Sequence, residues 1–283
     1  MKPDRPSATA YRVAMQRAAH QILDRPRVLD DPIALCIVGA GAEARIRADP
    51  RRFESSYGRA LRWFLVARSR CAEDTLSERV AAGVRQYVVL GAGFDTFAFR
   101  NPYPPGTLRV FEVDHPATQG GKRRRLAAAG IAEPASLTFV PVDFETQALP
   151  DRLAACGFDA GAPACFSWLG VTMYLSREAV MSTLAFVAAR PRGSGITFDY
   201  MIPPSSLPLL RRIGFHLLAH RLRMAGEPWR TWFEPAAFAA ELRGLGFTSL
   251  EELDYGALRA RYFADGAAPI GGRSVRHVMT ARR

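Results

Sequence analysis

The sequence predicts an α/β protein built on an open, doubly wound sheet of seven strands, with helices on both faces. Three observations support this fold class. Short, continuous apolar runs recur from residue 86 onward, and such runs are typical of buried parallel strands. Segments of helical composition separate these runs, which indicates βαβ units. Two more strand-like runs follow late in the chain, so we expect a mostly parallel sheet with an antiparallel last strand.

The apolar runs and the segments between them define the predicted elements. Five buried strands are predicted at 87–90, 108–113, 137–142, 164–168 and 196–200. Helical composition lies between them around 116–129, 146–156 and 176–190. The two late strands are predicted at 247–253 and 274–280. We therefore assign residues 86–283 to one Rossmann-like domain.

Residues 1–85 are predicted to form a helical cap on this domain. Apolar residues at helical spacing predict a first helix that ends near Leu23. Asp31 and Pro32 predict the start of a second helix, because Asp caps helix N-termini and Pro fits the first turn. A third helical region is predicted from about residue 53 to residue 82.

A helical lid insertion is predicted at about 203–230, after the fifth strand. It begins with paired prolines, continues as an amphipathic helix to Met224 and ends in a loop. Together with the N-terminal helices it is expected to cover a substrate pocket. His216 and His220 lie four residues apart on this helix, but no third ligand stands nearby in the sequence, so we predict no metal site.

The composition is that of a globular protein and argues against several other classes. Hydrophobic residues make up 48% of the chain and charged residues 23%. No apolar window of about 18 residues predicts a membrane span, and the N-terminus lacks the apolar stretch of a signal peptide. The four cysteines form no C-x-x-C pair, which is expected of thiols in a reducing cytoplasm.

The formal net charge of +11 raises the question of a nucleic-acid partner. The basic residues are mostly arginines scattered along the chain, in short blocks without interleaved aromatic residues. We therefore expect a solvated, arginine-rich surface and a small-molecule substrate rather than a nucleic acid or a membrane. The sequence leaves the oligomeric state open.

Ligands of a doubly wound sheet bind outside the carboxyl ends of its strands, near the point where strand order reverses. Here those ends are predicted at 91–96, 112–115, 142–145, 168–170 and 199–200. In the first, Gly91 and Gly93 allow positive φ and a close approach of backbone to a ligand. Thr96 stands where the G-x-G-x-x-G pattern of dinucleotide sites has its third glycine. The loop therefore predicts a nucleotide site, with an incomplete match to an NAD site.

Two carboxylates follow the second and third strands. Asp114 lies about 20 residues beyond Gly93, where an acid can accept hydrogen bonds from both ribose hydroxyls of a nucleoside. Asp143 can accept the exocyclic amine of adenine, and the adjacent Phe144 can flank the ring. Either acid could instead cap the helix that follows it.

Several motifs together resemble the leucine carboxyl methyltransferase-like family. They are residues 9–19, 29–34, Arg68, 86–96 with Arg100, 111–116 with Lys122, and 170–175. This family consists of class I S-adenosylmethionine-dependent methyltransferases, and the chain looks like a bacterial member. The resemblance extends over residues 7–200, and the terminal part 232–247 is similar to the usual methyltransferase ending.

The resemblance implies a set of cofactor-binding residues. Arg68 matches the family arginine that pairs with the cofactor carboxylate, a task suited to its planar fork. Gly91 matches the glycine beside the methionine part, Asp114 the ribose acid, and Asp143 with Phe144 the adenine-side pair. The predicted cofactor-binding residues are therefore Arg68, Gly91, Gly93, Asp95, Asp114, Asp143 and Phe144.

One position departs from the family pattern. Many relatives carry Glu-Gly-Val after the fourth strand, and the glutamate contacts the cofactor or its surroundings. Here Leu169 occupies that position, which leaves the backbone, Thr172 or Tyr174 as substitutes.

The sequence predicts an S-adenosylmethionine-dependent O-methyltransferase acting on a carboxylate or a hydroxyl of a small metabolite. A carboxylate acceptor is ionised at neutral pH, whereas a hydroxyl acceptor would require a base. His115 is the one histidine near the predicted strand ends, but a helix cap or a supporting position explains it better, so no catalytic residue is assigned. One alternative is an NAD-dependent oxidoreductase, and another is a non-catalytic nucleotide- or nucleic-acid-binding protein.

Overall fold

The computed structural model describes residues 8–143, 147–224, 226, 228–263 and 274–283. Its strands are β1 Gln86–Leu90, β2 Arg109–Asp114, β3 Leu137–Pro141, β4 Ala164–Trp168, β5 Gly195–Met201, β6 Ser249–Leu253 and β7 Arg276–Arg282. Its α-helices are α1 Ala8–Leu23, α2 Ile33–Val38, α3 Ala40–Ala48, α4 Ser56–Ala81, α5 Pro116–Ala128, α6 Leu149–Ala155, α7 Arg177–Ala188, α8 Leu209–Met224, α9 Pro235–Gly244 and α10 Tyr255–Tyr262.

The strands form one seven-stranded sheet in the order β3-β2-β1-β4-β5-β7-β6. Strands β3, β2, β1, β4 and β5 run parallel to one another, and β7 inserts antiparallel between β5 and β6. The predicted fold class is therefore confirmed, including the antiparallel last strand. Strand order reverses beside β1, which places the predicted ligand-binding edge at the carboxyl end of β1.

The two faces of the sheet carry separate hydrophobic clusters. Val88 points into one with Phe111 and Phe166, while Val89 points into the other with Val110. Successive side chains of a strand alternate between faces, so a strand covered on both faces is apolar at most of its positions. All residues of β1, β4 and β5 are buried, which explains the continuous apolar runs of the sequence.

The N-terminal helices occupy two places. Helix α4 lies against the sheet, where its Leu76 and Val80 join the cluster of Val89. Helices α1, α2 and α3 pack with one another and with Phe94 of the loop after β1. The predicted boundary at residue 85 falls between α4 and β1, and the division into a cap and a second domain stays a prediction.

Helices α3 and α10 were not predicted from the sequence. Helix α3 follows α2 after a single residue, Gly39, whose φ of +89° interrupts the helix. Helix α10 begins after Asp254, whose carboxylate accepts a hydrogen bond from the Ala257 amide. The predicted lid begins its main helix, α8, only at Leu209, after Pro208. None of the helices in the described ranges has the length and apolar composition of a membrane-spanning segment.

A buried ion pair joins α1 to α4. Arg62 donates to both carboxylate oxygens of Asp24, each at 2.7 Å, and His20 Nδ1 lies 2.8 Å from Asp24 Oδ2. Burial raises the pKa of Asp24, but the hydrogen bonds from Arg62 and His20 outweigh burial and lower it from 3.8 to about 2. The folded protein therefore favours the ionised form of the Asp24 carboxylate.

We predict that Asp24→Asn lowers the free energy of unfolding at neutral pH by about 3–5 kcal/mol, because the buried Arg62 charge then keeps only the exposed Glu54 carboxylate, 3.4 Å away, as a counter-ion. Because the folded-state pKa of Asp24 is depressed, its stabilising contribution is complete above pH 4 and is lost as the pH falls through about 2. Urea unfolding measures both effects.

The matched control is Glu43→Gln, which breaks the exposed Arg47–Glu43 pair and should change stability by less than about 1 kcal/mol. Equal small losses in the two variants would contradict the assignment of a structural role to Asp24.

Candidate functional site

The loop after β1 turns sharply at the carboxyl edge of the sheet. Gly91 has a φ of +63° and Gly93 a φ of +51°, the left-handed region that favours glycine. A Cβ atom at Gly91 would collide with Cγ2 of Val171, which follows β4. The positive φ expected of both glycines is confirmed, and the Gly91 backbone lies against the segment after β4.

Asp114, the last residue of β2, is hydrogen-bonded to this loop. Its Oδ2 accepts from the Gly93 amide at 2.5 Å and its Oδ1 from the His115 amide at 2.6 Å. Burial raises the pKa of Asp114, and the two amides oppose that rise. Each carboxylate oxygen retains a second lone pair. Asp114 can therefore accept two hydroxyl groups from a ligand lying over the loop.

Arg68 of α4 is 5% exposed and reaches the same edge of the sheet. Its Nη1 donates to Asp199 Oδ2 of β5 at 2.6 Å, while the Gly170 amide donates to Asp199 Oδ1 at 2.5 Å. The Arg68 Nε is buried without a hydrogen-bond partner among the described residues. Gly170 contacts Arg68 closely, since a Cβ there would lie 2.8 Å from Nη2. Residues 170 and 171 thus connect Arg68 to Gly91.

Asp95 faces the N-terminal helices. Its carboxylate accepts from Arg17 Nη1 of α1 at 3.1 Å and from the Phe97 amide at 2.8 Å. Thr96 next to it donates to Asp31, which also accepts from Arg17 at 2.6 Å. The pair Asp95 and Thr96 therefore fastens the glycine loop to the N-terminal helices. A contact between Asp95 and the cofactor stays a prediction.

Another buried pair involves β2, the strand that ends at Asp114. Lys122 of α5 and Glu112 of β2 are each 1% exposed and form an ion pair. Burial raises the pKa of Glu112 to about 7, although Lys122 opposes the rise. Lys122 and Glu112, which both belong to the motif that resembles the family, therefore have a structural role: their ion pair holds α5 against β2.

The remaining predicted residues have less definite surroundings. Asp143 is half-buried beyond β3, and its amide donates to Gln147 Oε1 at 3.1 Å. Phe144 lies outside the described residues. His115 caps α5, where its Nδ1 accepts from the Ala117 amide at 3.2 Å. Within the described ranges no three His, Cys, Asp or Glu side chains form a group that could hold a metal.

Sequence reasoning missed Asp199 as the partner of Arg68. Asp199 lies at one of the predicted strand ends, and that position correctly indicated that it is close to the site. The pairing joins residues 131 positions apart, and neither residue has a local partner in the sequence that would reveal it.

These residues fit S-adenosylmethionine. The ligand carries a carboxylate, which the unfilled N–H groups of Arg68 can bind, and a ribose diol, which Asp114 can accept. They fit a dinucleotide less well, because its pyrophosphate binds at a helix N-terminus. Here the glycine loop leads into a short 3-10 turn, Phe97–Arg100, rather than an α-helix.

The comparisons with known proteins agree with this fit. The sequence signature of the leucine carboxyl methyltransferase family matches residues 10–188. YktD of Bacillus subtilis (strain 168), named as an S-adenosyl-L-methionine-dependent methyltransferase, is 31% identical over 290 residues, which cover 94% of each chain. A Frankia alni protein of the same designation is 37% identical over 187 residues, 64% of each chain.

A solved structure supports the fold. The crystal structure of a protein from Thermobifida fusca YX, described as a methyltransferase, aligns with a TM-score of 0.57 at 16% identity. The alignment covers 100% of this chain and 96% of that chain. The family match extends over more than half of the chain, and the Bacillus relative aligns along nearly all of it. The chain therefore belongs to the leucine carboxyl methyltransferase family and is an S-adenosyl-L-methionine-dependent methyltransferase.

Proposed function

We propose that this enzyme is an O-methyltransferase that methylates a carboxylate or a hydroxyl of a small metabolite. The observation that carries the proposal is an aromatic, arginine-containing wall beside the cofactor residues. Phe215 of α8 stacks on Trp229 with ring centroids 5.0 Å apart, and the guanidinium of Arg276 lies 6.0 Å from the Trp229 ring centroid. Such a wall can contact the apolar body of an acceptor and attract its negative charge.

The wall is joined to the cofactor site through β5 and the turn after β4. Arg276 pairs with Met201, two residues after Asp199 on β5. Met173, three residues after Gly170, packs with Met201, Phe215 and Trp229. An acceptor held by these side chains would therefore lie close to Arg68 and Gly91. This arrangement supports the expectation that the lid helps to form the substrate pocket.

The cofactor residues have assigned tasks in this proposal. Arg68 would bind the cofactor carboxylate, Asp114 the ribose hydroxyls, and Asp143 with Phe144 the adenine side. The backbone of Gly91 would lie along the methionine part. S-adenosylmethionine supplies a methyl group that its positively charged sulfur has already activated, so the chain has mainly to align the acceptor oxygen.

The surroundings of His115 favour a carboxylate over a hydroxyl acceptor. A hydroxyl would require a base to take its proton, whereas a carboxylate is already ionised. His115 Nδ1 accepts the Ala117 amide, so its neutral ring carries the proton on Nε2. In that form it cannot accept a proton without giving up the helix cap. The family name also refers to a carboxyl acceptor, in leucine.

The expected partner and location belong to the same proposal. We propose a small-molecule acceptor rather than a nucleic acid, and a cytoplasmic enzyme. All four cysteines are free thiols, which is compatible with a reducing compartment.

We predict that Asp114→Ala weakens S-adenosylhomocysteine binding by about 1–3 kcal/mol, because the ribose hydroxyls lose their acceptor in a buried site. Isothermal titration calorimetry measures the change, and Asp114→Asn should lose less because the amide oxygen still accepts. Glu133→Gln, at an exposed carboxylate paired with Arg123, is the control and should bind normally. Unchanged affinity in Asp114→Ala would show that the ribose lies elsewhere.

The acceptor chemistry predicts an alkali-labile product. The enzyme would be incubated with methyl-labelled S-adenosylmethionine and the small-molecule fraction of a cell extract. Mild alkali hydrolyses a methyl ester and releases labelled methanol, whereas a methyl ether survives. We expect labelled methanol from the wild type and much less from Asp114→Ala at limiting cofactor. A label that mass spectrometry finds on nitrogen, sulfur or carbon would overturn the proposal of O-methylation.

A further inference from the structure

We infer that Asp199 is a positioning residue for cofactor recognition, because it orients Arg68 toward the cofactor carboxylate. The inference rests on the proposed role of Arg68. It concerns a residue that would itself touch neither the cofactor nor the acceptor, and whose effect passes through the arginine.

Asp199 connects three parts of the site. It is completely buried in β5, and its two carboxylate oxygens accept from different elements. One accepts from Arg68 of α4 at 2.6 Å and the other from the Gly170 amide after β4 at 2.5 Å. The backbone carbonyl of Asp199 accepts from the Thr172 hydroxyl at 2.7 Å. A single residue thus fixes the arginine relative to the loop that borders Gly91.

The Arg68–Asp199 pair differs from a purely structural pair in the same helix. Arg62 donates from Nε and Nη2 to Asp24 and from Nη1 to the Phe53 carbonyl, so each of its nitrogens has a partner. Arg68 donates to Asp199 from Nη1 alone, and its buried Nε has no partner among the described residues. The bound carboxylate of Asp199 therefore orients the guanidinium without occupying its fork, which leaves donors for a ligand anion.

Charge supplies a second reason for Asp199. Burial lowers the pKa of Arg68, and the positive charge of Arg276 lowers it further, whereas Asp199 opposes both. Without Asp199, the positive charges of Arg68 and Arg276 would oppose each other, and Arg68 would have no acidic partner among the described residues. Asp199 therefore supplies the counter-ion that holds Arg68 in place before the ligand arrives, which is preorganisation of the site.

Leu169, directly before Gly170, carries no charge. The Gly170 amide is bonded to Asp199. The negative charge beside Gly170 and Arg68 thus comes from Asp199 of β5.

The test compares two ligands that differ in one group. S-adenosylhomocysteine carries the amino-acid carboxylate, whereas 5′-methylthioadenosine has the same nucleoside without it. Asp199→Asn keeps the shape and an acceptor for the Gly170 amide but removes the charge that orients Arg68. We expect it to weaken S-adenosylhomocysteine binding on the order of 10- to 100-fold and to leave 5′-methylthioadenosine binding within about twofold of the wild type.

Asp24→Asn is the matched control, because it removes the charge from the other buried Asp–Arg pair of α4. It should lower stability while the ratio of the two affinities stays at the wild-type value. A purely structural role for Asp199 would give the same result in Asp199→Asn, and that outcome would overturn the inference. Tighter binding of S-adenosylhomocysteine would overturn it as well.

Arg68→Gln separates the inference from the proposal on which it rests. If Arg68→Gln keeps the wild-type affinity ratio, the proposed role of Arg68 fails. If Arg68→Gln loses the preference and Asp199→Asn keeps it, only the positioning role fails. Should Asp199→Asn not fold, Thr172→Val removes the hydroxyl that holds the Asp199 carbonyl. We expect that variant to reduce the preference for S-adenosylhomocysteine in the same direction, and an unchanged preference would count against Asp199.

Discussion

Buried pairs of basic and acidic side chains hold the helices on the carboxyl edge of the sheet, and the cofactor site depends on them. Arg17 links α1 to Asp31 and Asp95, and Arg68 links α4 to Asp199. Removing such charges from water is costly, so each pair requires close geometry and further hydrogen bonds. The pairs therefore define one arrangement of helices around the strand ends, which apolar packing alone would specify less sharply.

The same interaction serves two purposes in this molecule. At Arg62 the protein supplies a partner for every guanidinium nitrogen, and the result is a structural joint between helices. At Arg68 one carboxylate is supplied and part of the fork remains open. An arginine that is oriented but incompletely bonded is suited to bind an anion, because little side-chain freedom remains to be lost on binding. Arg62 thus differs from Arg68 in that all of its guanidinium nitrogens have partners within the protein, whereas Arg68 has an N–H group left without one among the described residues.

Much of the fold and part of the site could be predicted from local patterns. The continuous apolar runs predicted the buried strands, and their alternation with helical segments predicted a parallel sheet. Asp31 was predicted to cap α2, and its Oδ1 does accept from the Ala34 amide at 3.1 Å. Helix α3 escaped prediction because nothing in its apolar spacing separates it from α2, and the Gly39 break is a property of the backbone. The hydrogen bond between Asp95 and Arg17 joins residues 78 positions apart, so no local sequence pattern could predict it.

The sequence by itself determined which candidate site residues follow which strand: a glycine loop follows β1, an acid follows β2, and an arginine lies upstream of β1. These features depend on periodicity, turn-forming residues and spacing, which are local properties of a chain. Only the tertiary structure decided which charges meet, and so placed Asp199 on Arg68 and Asp95 on Arg17. The reason is physical: the energy of a buried charge depends on its distance to a counter-ion and on its exclusion from water, and folding alone sets both.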